Sequence, residues 1–92
     1  MADKASSDEN KTRTKVLING QEYIIKSTYP SKQVKEIAAY VDKKMLEIKN
    51  ANPYLSPAKL AVLTALNITD EFFLLKEEYE SLLKLIEEEK KK

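Results

Sequence analysis

Apolar positions change their spacing twice along this chain, and each change marks an element. Around Asn19-Gly20 they alternate: TRTKVLI leads in and QEYIIKST leads out. Asn-Gly between alternating runs is a strong hairpin signal, because both residues tolerate the positive φ of a type I′ turn. This predicts a β-hairpin over residues 13–28. With a two-residue turn, Ile18 opposes Gln21 and Val16 opposes Tyr23. One face then carries Val16, Ile18, Tyr23 and Ile25, and the other keeps Leu17 and Ile24 among Arg13, Lys15, Glu22 and Lys26. A bulged turn would shift this register. A lone hairpin is marginal in water, so its apolar face needs a helix, and its open edges can accept a partner.

After Pro30 the spacing becomes helical. Val34, Ile37, Ala38, Val41, Met45 and Ile48 form one stripe, with Tyr40 at its edge. This predicts an amphipathic helix over residues 32–49, capped by Ser31. Its opposite face holds Lys32, Lys35, Glu36, Asp42, Lys43, Glu47 and Lys49. The segment NANPYLS over residues 50–56 is a turn. Tyr54 and Leu55 are expected to fold over the start of the next helix as a hydrophobic staple. So short a link favours an antiparallel return.

Ser56-Pro57 opens a third element, since Ser is a good N-cap and Pro is tolerated at the first helical position. No Gly or Pro follows. Residues 60–66 are apolar on more than one side, which fits burial by several neighbours at once. Beyond them the pattern narrows to Ile68, Phe72, Leu75, Tyr79, Leu82 and Ile86. Their gaps alternate between four and three residues, a heptad seam of a and d positions. Phe73, Leu83 and Leu85 thicken it, and glutamates with Lys76 and Lys84 clothe the rest. A helix over residues 57–92 is about 50 Å long. A chain of this size cannot cover such a rod, so the seam predicts a partner helix, most simply a second copy. Asn67 stands inside the apolar stretch. Two readings are open: a local hydrogen bond, or a cross-chain bond that fixes register. Lys90, Lys91 and Lys92 suit a helix C-terminus.

Composition narrows the chemistry. The chain has 92 residues, with no Cys and no His. Disulfides and the usual structural zinc are excluded, which leaves oligomerisation as the route to stability. The commonest general base and nucleophile are missing too, so no enzyme, cofactor or small-molecule substrate is expected. Glu77 and Glu80 have metal-compatible spacing but read as a coil surface. A single Gly rules out a phosphate-cradling loop. Sixteen basic and 15 acidic residues, interleaved, leave a net charge of +1, which speaks against nucleic acid. No apolar run spans a membrane. Residues 1–11 are polar, read as a disordered tail and do not form a signal peptide. A cytoplasmic location fits the absence of Cys.

The fold expected is therefore α+β: hairpin, amphipathic helix and a long C-terminal helix forming a coiled coil, in the order ββαα. Three segments carry a resemblance to a known family: VLINGQEYII at residues 16–25, IAAYVDKKM at residues 37–45, and LSPAKLAVLTALNITDE at residues 55–71. Together they resemble the bacterial cell division protein ZapA, with the third segment the most specific. The resemblance implies a protein that binds the division GTPase FtsZ and aligns or cross-links its protofilaments at the midcell ring. It implies a homodimer, or a homotetramer of paired dimers, with a head over residues 12–70 and a coiled-coil extension over 71–92. Asn19 and Gly20 would make the family hairpin turn. Asn67 and Glu71 would sit at the head–coil junction. Some members carry a basic residue that helps engage the filament where this chain has the uncharged Gln21, a departure from the family pattern. The mixed charge of Lys32, Lys35, Glu36, Lys43 and Glu47 makes that helix face, with the hairpin and Gln21, the expected filament contact. The rival reading is a generic coiled-coil adaptor for some other protein.

Overall fold

In the computed structural model, residues 11–91 are described; the tail expected over 1–11 lies outside them but for Lys11, as does Lys92. Two strands, β1 (Thr12–Ile18) and β2 (Gln21–Ser27), are followed by α1 (Ser31–Ala51) and α2 (Pro57–Lys91). This is the α+β, ββαα order read from the sequence. The chain divides into two compact units, one ending at Leu55 and one beginning at Ser56.

In the first unit the strands pair antiparallel with Ile18 opposite Gln21 and Val16 opposite Tyr23. Asn19 and Gly20 form the two-residue turn at φ 53° and 76°. Both values are positive, as a type I′ turn requires. The hairpin begins one residue earlier than expected, at Thr12, which pairs with Ser27. The inward face carries Thr14, Val16, Ile18 and Ile25, and α1 packs against β1. Val16, Val34 and Ala38 are buried together, with Ile18 and Ile25 against them. Tyr23 shares this side of the sheet but stays exposed. Thr14, 2% exposed, donates from its hydroxyl to Ser31 Oγ at 2.8 Å.

That bond corrects the expected cap. Helix α1 starts at Ser31 itself, with Pro30 as N-cap and no side-chain cap bond. The Pro30 carbonyl accepts from the N–H groups of Gln33 and Val34, while Ser31 Oγ is taken by Thr14. At its other end α1 runs two residues past the expected position 49, to Ala51. Asn52 N–H then donates to the carbonyls of Ile48 and Lys49. In the expected stripe, Val34, Ala38 and Met45 are buried and Val41 and Ile48 half-buried, but Ile37 is 52% exposed. At about 100° per residue the first five span about 80° of the helix, and Ile37 falls just outside that arc. Tyr54 does not fold back as a staple: it is 99% exposed, and only Leu55 is half-buried.

In the second unit, Ser56 Oγ accepts from Lys59 N–H at 3.2 Å and the Ser56 carbonyl from Leu60 N–H at 2.9 Å. Ser56 is thus the N-cap of α2, with Pro57 first in the helix. Helix α2 has 35 residues, about 52 Å at 1.5 Å per residue. Its buried residues are Leu60 and Thr64. The Thr64 hydroxyl donates to the Leu60 carbonyl at 2.7 Å, which satisfies a polar atom that would otherwise be costly. Ala61, Val62, Leu63, Ala65 and Leu66 are exposed in the single chain, where the partner expected to help cover them is absent.

Candidate functional site

Three surfaces present the residues singled out in the sequence. The first is the outward face of α1. Lys32, Lys35, Glu36, Lys43 and Glu47 are all exposed. On a helix of 3.6 residues per turn, Lys32, Glu36, Lys43 and Glu47 fall within about 60°, opposite the core stripe, and Lys35 lies about 60° to one side. Glu47 is held by Lys44, Nζ to Oε1 3.5 Å, and Lys44 Nζ also sits 5.7 Å from the centre of the Tyr40 ring. The face is mixed in sign and wet, suited to reading charge on a partner rather than to burial.

The second surface is the hairpin turn. Asn19 N–H donates to Asp42 Oδ1 at 2.8 Å. This bond ties the turn to the middle of α1 and brings Gln21, exposed at the start of β2, to the helix that carries Lys43. Asp42 was placed only among the charged positions of α1 by the sequence, and its latch role had no signal there. Thr14 had one: it is the polar residue at an inward position of an alternating strand.

The third is the seam of α2. Phe72, Leu75, Tyr79, Leu82 and Ile86 are 58%, 65%, 61%, 56% and 45% exposed, and Ile68 is half-buried. All six lie within about 80° of one another on the helix. Glu71 is half-buried beside them. Asn67 is exposed rather than buried, because Leu66 and Ala65 around it are exposed as well. Its side chain makes no hydrogen bond among the described residues. So continuous an apolar row on a helix marks an association surface.

An open apolar groove of about 230 Å³ lies in the first unit, lined by Ile18, Ile25, Tyr29, Val34, Ile37 and Val41 among others. It explains the exposure of Ile37, which borders it. Ser27 and Tyr29 supply the polar side chains of that lining, which is otherwise aliphatic. Among the described residues no cluster of Asp and Glu could hold a metal. No described helix is long and apolar enough to cross a membrane.

The family model for the cell division protein ZapA matches residues 14–92. The chain belongs to the ZapA family. A cell division protein ZapA of Shouchella clausii is 53% identical over 73 residues, covering 79% of this chain and 94% of that one. One from Geobacillus sp. strain WCH70 is 46% identical over 84 residues, covering 91% and 97%. Among solved structures, a ZapA mutant dimer from Geobacillus stearothermophilus matches with a TM-score of 0.65 at 43% identity, over 84% of this chain and 90% of that one. A dimeric relative is what the open seam of α2 calls for.

Proposed function

We propose that this ZapA-family chain is a non-enzymatic cross-linker of FtsZ protofilaments, acting in the cytoplasm at the midcell division ring. The observation that supports it most is the exposed row Phe72, Leu75, Tyr79, Leu82 and Ile86 on a helix of about 52 Å. Pairing these rows between copies makes a homodimer, and two dimers joined through their coils make a homotetramer. Residues 12–70 serve as the head and residues 71–92 as the coil. Asn67, exposed and without a hydrogen bond among the described residues, hydrogen-bonds across chains at the junction with Glu71 and fixes the register.

Each head offers the mixed-charge face of Lys32, Lys35, Glu36, Lys43 and Glu47, with Gln21 beside it, to the filament. A single such contact is weak, because exposed ion pairs contribute at most about 1 kcal/mol each. Two or more heads on one assembly raise avidity by about 10²–10⁴ through effective concentration. Binding and cross-linking then come from the same geometry. The test is co-sedimentation with FtsZ filaments in GTP of the chain and of its Lys35→Glu/Lys43→Glu variant, with oligomer mass checked by light scattering. The variant should keep its mass and lose most of its pelleting. Equal pelleting at equal mass would move the contact off α1.

A further inference from the structure

The hairpin turn brings a side-chain amide next to a backbone nitrogen that can attack it. Gly20 is the single glycine of the sequence, and it follows Asn19. With no side chain on Gly20, its nitrogen is uncrowded as a nucleophile toward the Asn19 amide. Nothing lies within 4 Å of the place a Gly20 Cβ would occupy, and Gly20 is exposed, so water reaches the turn. The other described asparagines are poorer candidates. Asn52 precedes Pro53, whose nitrogen has no proton to lose. Asn67 precedes the β-branched Ile68 within α2, and Asn50 lies within α1. The closed turn holds the reaction back. In a type I′ turn the first central residue has ψ of about +30°, which sets Gly20 N nearly opposite the Asn19 Cβ across the Cα–C bond. Ring closure needs the two on the same side. The pairing of Ile18 with Gln21 and the 2.8 Å bond from Asn19 N–H to Asp42 Oδ1 both keep the turn closed.

We propose that Asn19 is a site of spontaneous conversion to aspartate and isoaspartate, gated by opening of the turn and restrained by Asp42. When the turn opens, Gly20 N loses its proton and attacks Asn19 Cγ. The new N–Cγ bond closes a succinimide ring, the Cγ–Nδ2 bond breaks, and Nδ2 leaves with a proton as ammonia. Water then opens the ring. Cleavage at Cγ gives aspartate, and cleavage at the backbone carbonyl carbon gives isoaspartate, whose main chain runs through Cβ and Cγ. Water is consumed and ammonia released, with no oxidant or reductant. Isoaspartate lengthens the backbone of a two-residue turn and spoils its geometry. Either product puts a carboxylate on the residue whose N–H faces Asp42. The converted hairpin is therefore looser than the original. The conversion rests on the turn alone and not on the filament contact proposed above.

The test incubates the full chain in mildly alkaline buffer, folded and in guanidinium chloride, and follows it by peptide mapping with mass spectrometry. Trypsin releases Val16–Lys26, whose asparagine, aspartate and isoaspartate forms separate on chromatography. In the folded chain, conversion should appear at Asn19 before Asn50, Asn52 or Asn67. It should run several-fold slower there than in the denatured chain, because the turn must open first. Asp42→Ala should speed it in the folded chain about 5- to 30-fold by weakening the closed turn. Asp42→Asn, which keeps an acceptor, should speed it less. The comparison of folded and denatured unaltered chain stands whether or not Asp42→Ala folds. Three results would each overturn the proposal: no conversion at Asn19 in the folded chain by the time the denatured chain has converted throughout, equal rates in the two, or a folded Asp42→Ala chain that converts at the original rate. Faster conversion at another asparagine of the folded chain would overturn it as well.

Discussion

Replacing Leu75 by Ala removes most of one seam side chain without harming the helix, since Ala is the best helix former. Leu75 is 65% exposed, more than any other seam residue. Burying a fully exposed Leu is worth about 1.5–3 kcal/mol, so the surface still open on Leu75 represents about 1–2 kcal/mol. A two-fold dimer carries the substitution twice and loses about 2–4 kcal/mol, which weakens its Kd about 30- to 900-fold. Leu74 is the control. It is 56% exposed, yet it points about 80° outside the seam arc. Sedimentation equilibrium over a concentration series reads both variants directly. Leu75→Ala should dissociate at concentrations where Leu74→Ala, shifted by less than about threefold, remains associated. If the two variants weaken association equally, or neither does, the face assigned to the interface is wrong.

The head unit gives three further expectations from urea unfolding. Asp42→Ala breaks the latch to Asn19 N–H and should cost about 1–2 kcal/mol, while Asp42→Asn keeps an acceptor and should cost less. Gly20→Ala meets no steric obstacle, because nothing lies within 4 Å of the added Cβ, but its φ of 76° should cost about 1–2 kcal/mol. Gly20→Asn should recover part of that, whereas equal loss for both would point to a role beyond backbone conformation. Thr14→Val removes the donor of a buried bond to Ser31 and should cost about 1–2 kcal/mol; no change would mean that the hydroxyl pair is dispensable. In α2, Ser56→Ala loses the cap on Lys59 N–H and should lower stability by about 1 kcal/mol, with Ser56→Asp restoring it.

What the sequence carried well was whatever depends on period and local backbone chemistry. Asn19-Gly20 specified where the chain turns, because few other residues accept positive φ at both central positions, while the choice between a two-residue and a bulged turn, and with it the register, is decided by the strand pairing itself. The spacing of Val34, Ala38, Val41, Met45 and Ile48 specified the inward side of α1, and Ser56-Pro57 specified where α2 begins. Features decided by competition between distant groups were illegible. Ser31 has the chemistry of a cap, but Thr14, seventeen residues earlier, takes its hydroxyl. Tyr54 has the chemistry of a staple but extends into solvent. Asp42 looked like one more charged residue until the turn was placed against it. The exposure of Asn67 and of its neighbours Ala65 and Leu66 belongs to the single chain. An apolar stretch written for several neighbours is satisfied only when those neighbours are present.

The central claim is that pairing through α2 turns weak heads into a filament cross-linker. The most direct measurement mixes FtsZ filaments and GTP with the chain, or with a Leu75→Glu variant that light scattering finds monomeric. Pelleting and turbidity are then recorded at matched head concentration. The chain should pellet as an even-numbered oligomer and bundle the filaments, and the monomeric variant should do neither at the same concentration. An intact oligomer that stays in the supernatant across salt and pH, or a monomer that bundles as well as the oligomer, would contradict the claim.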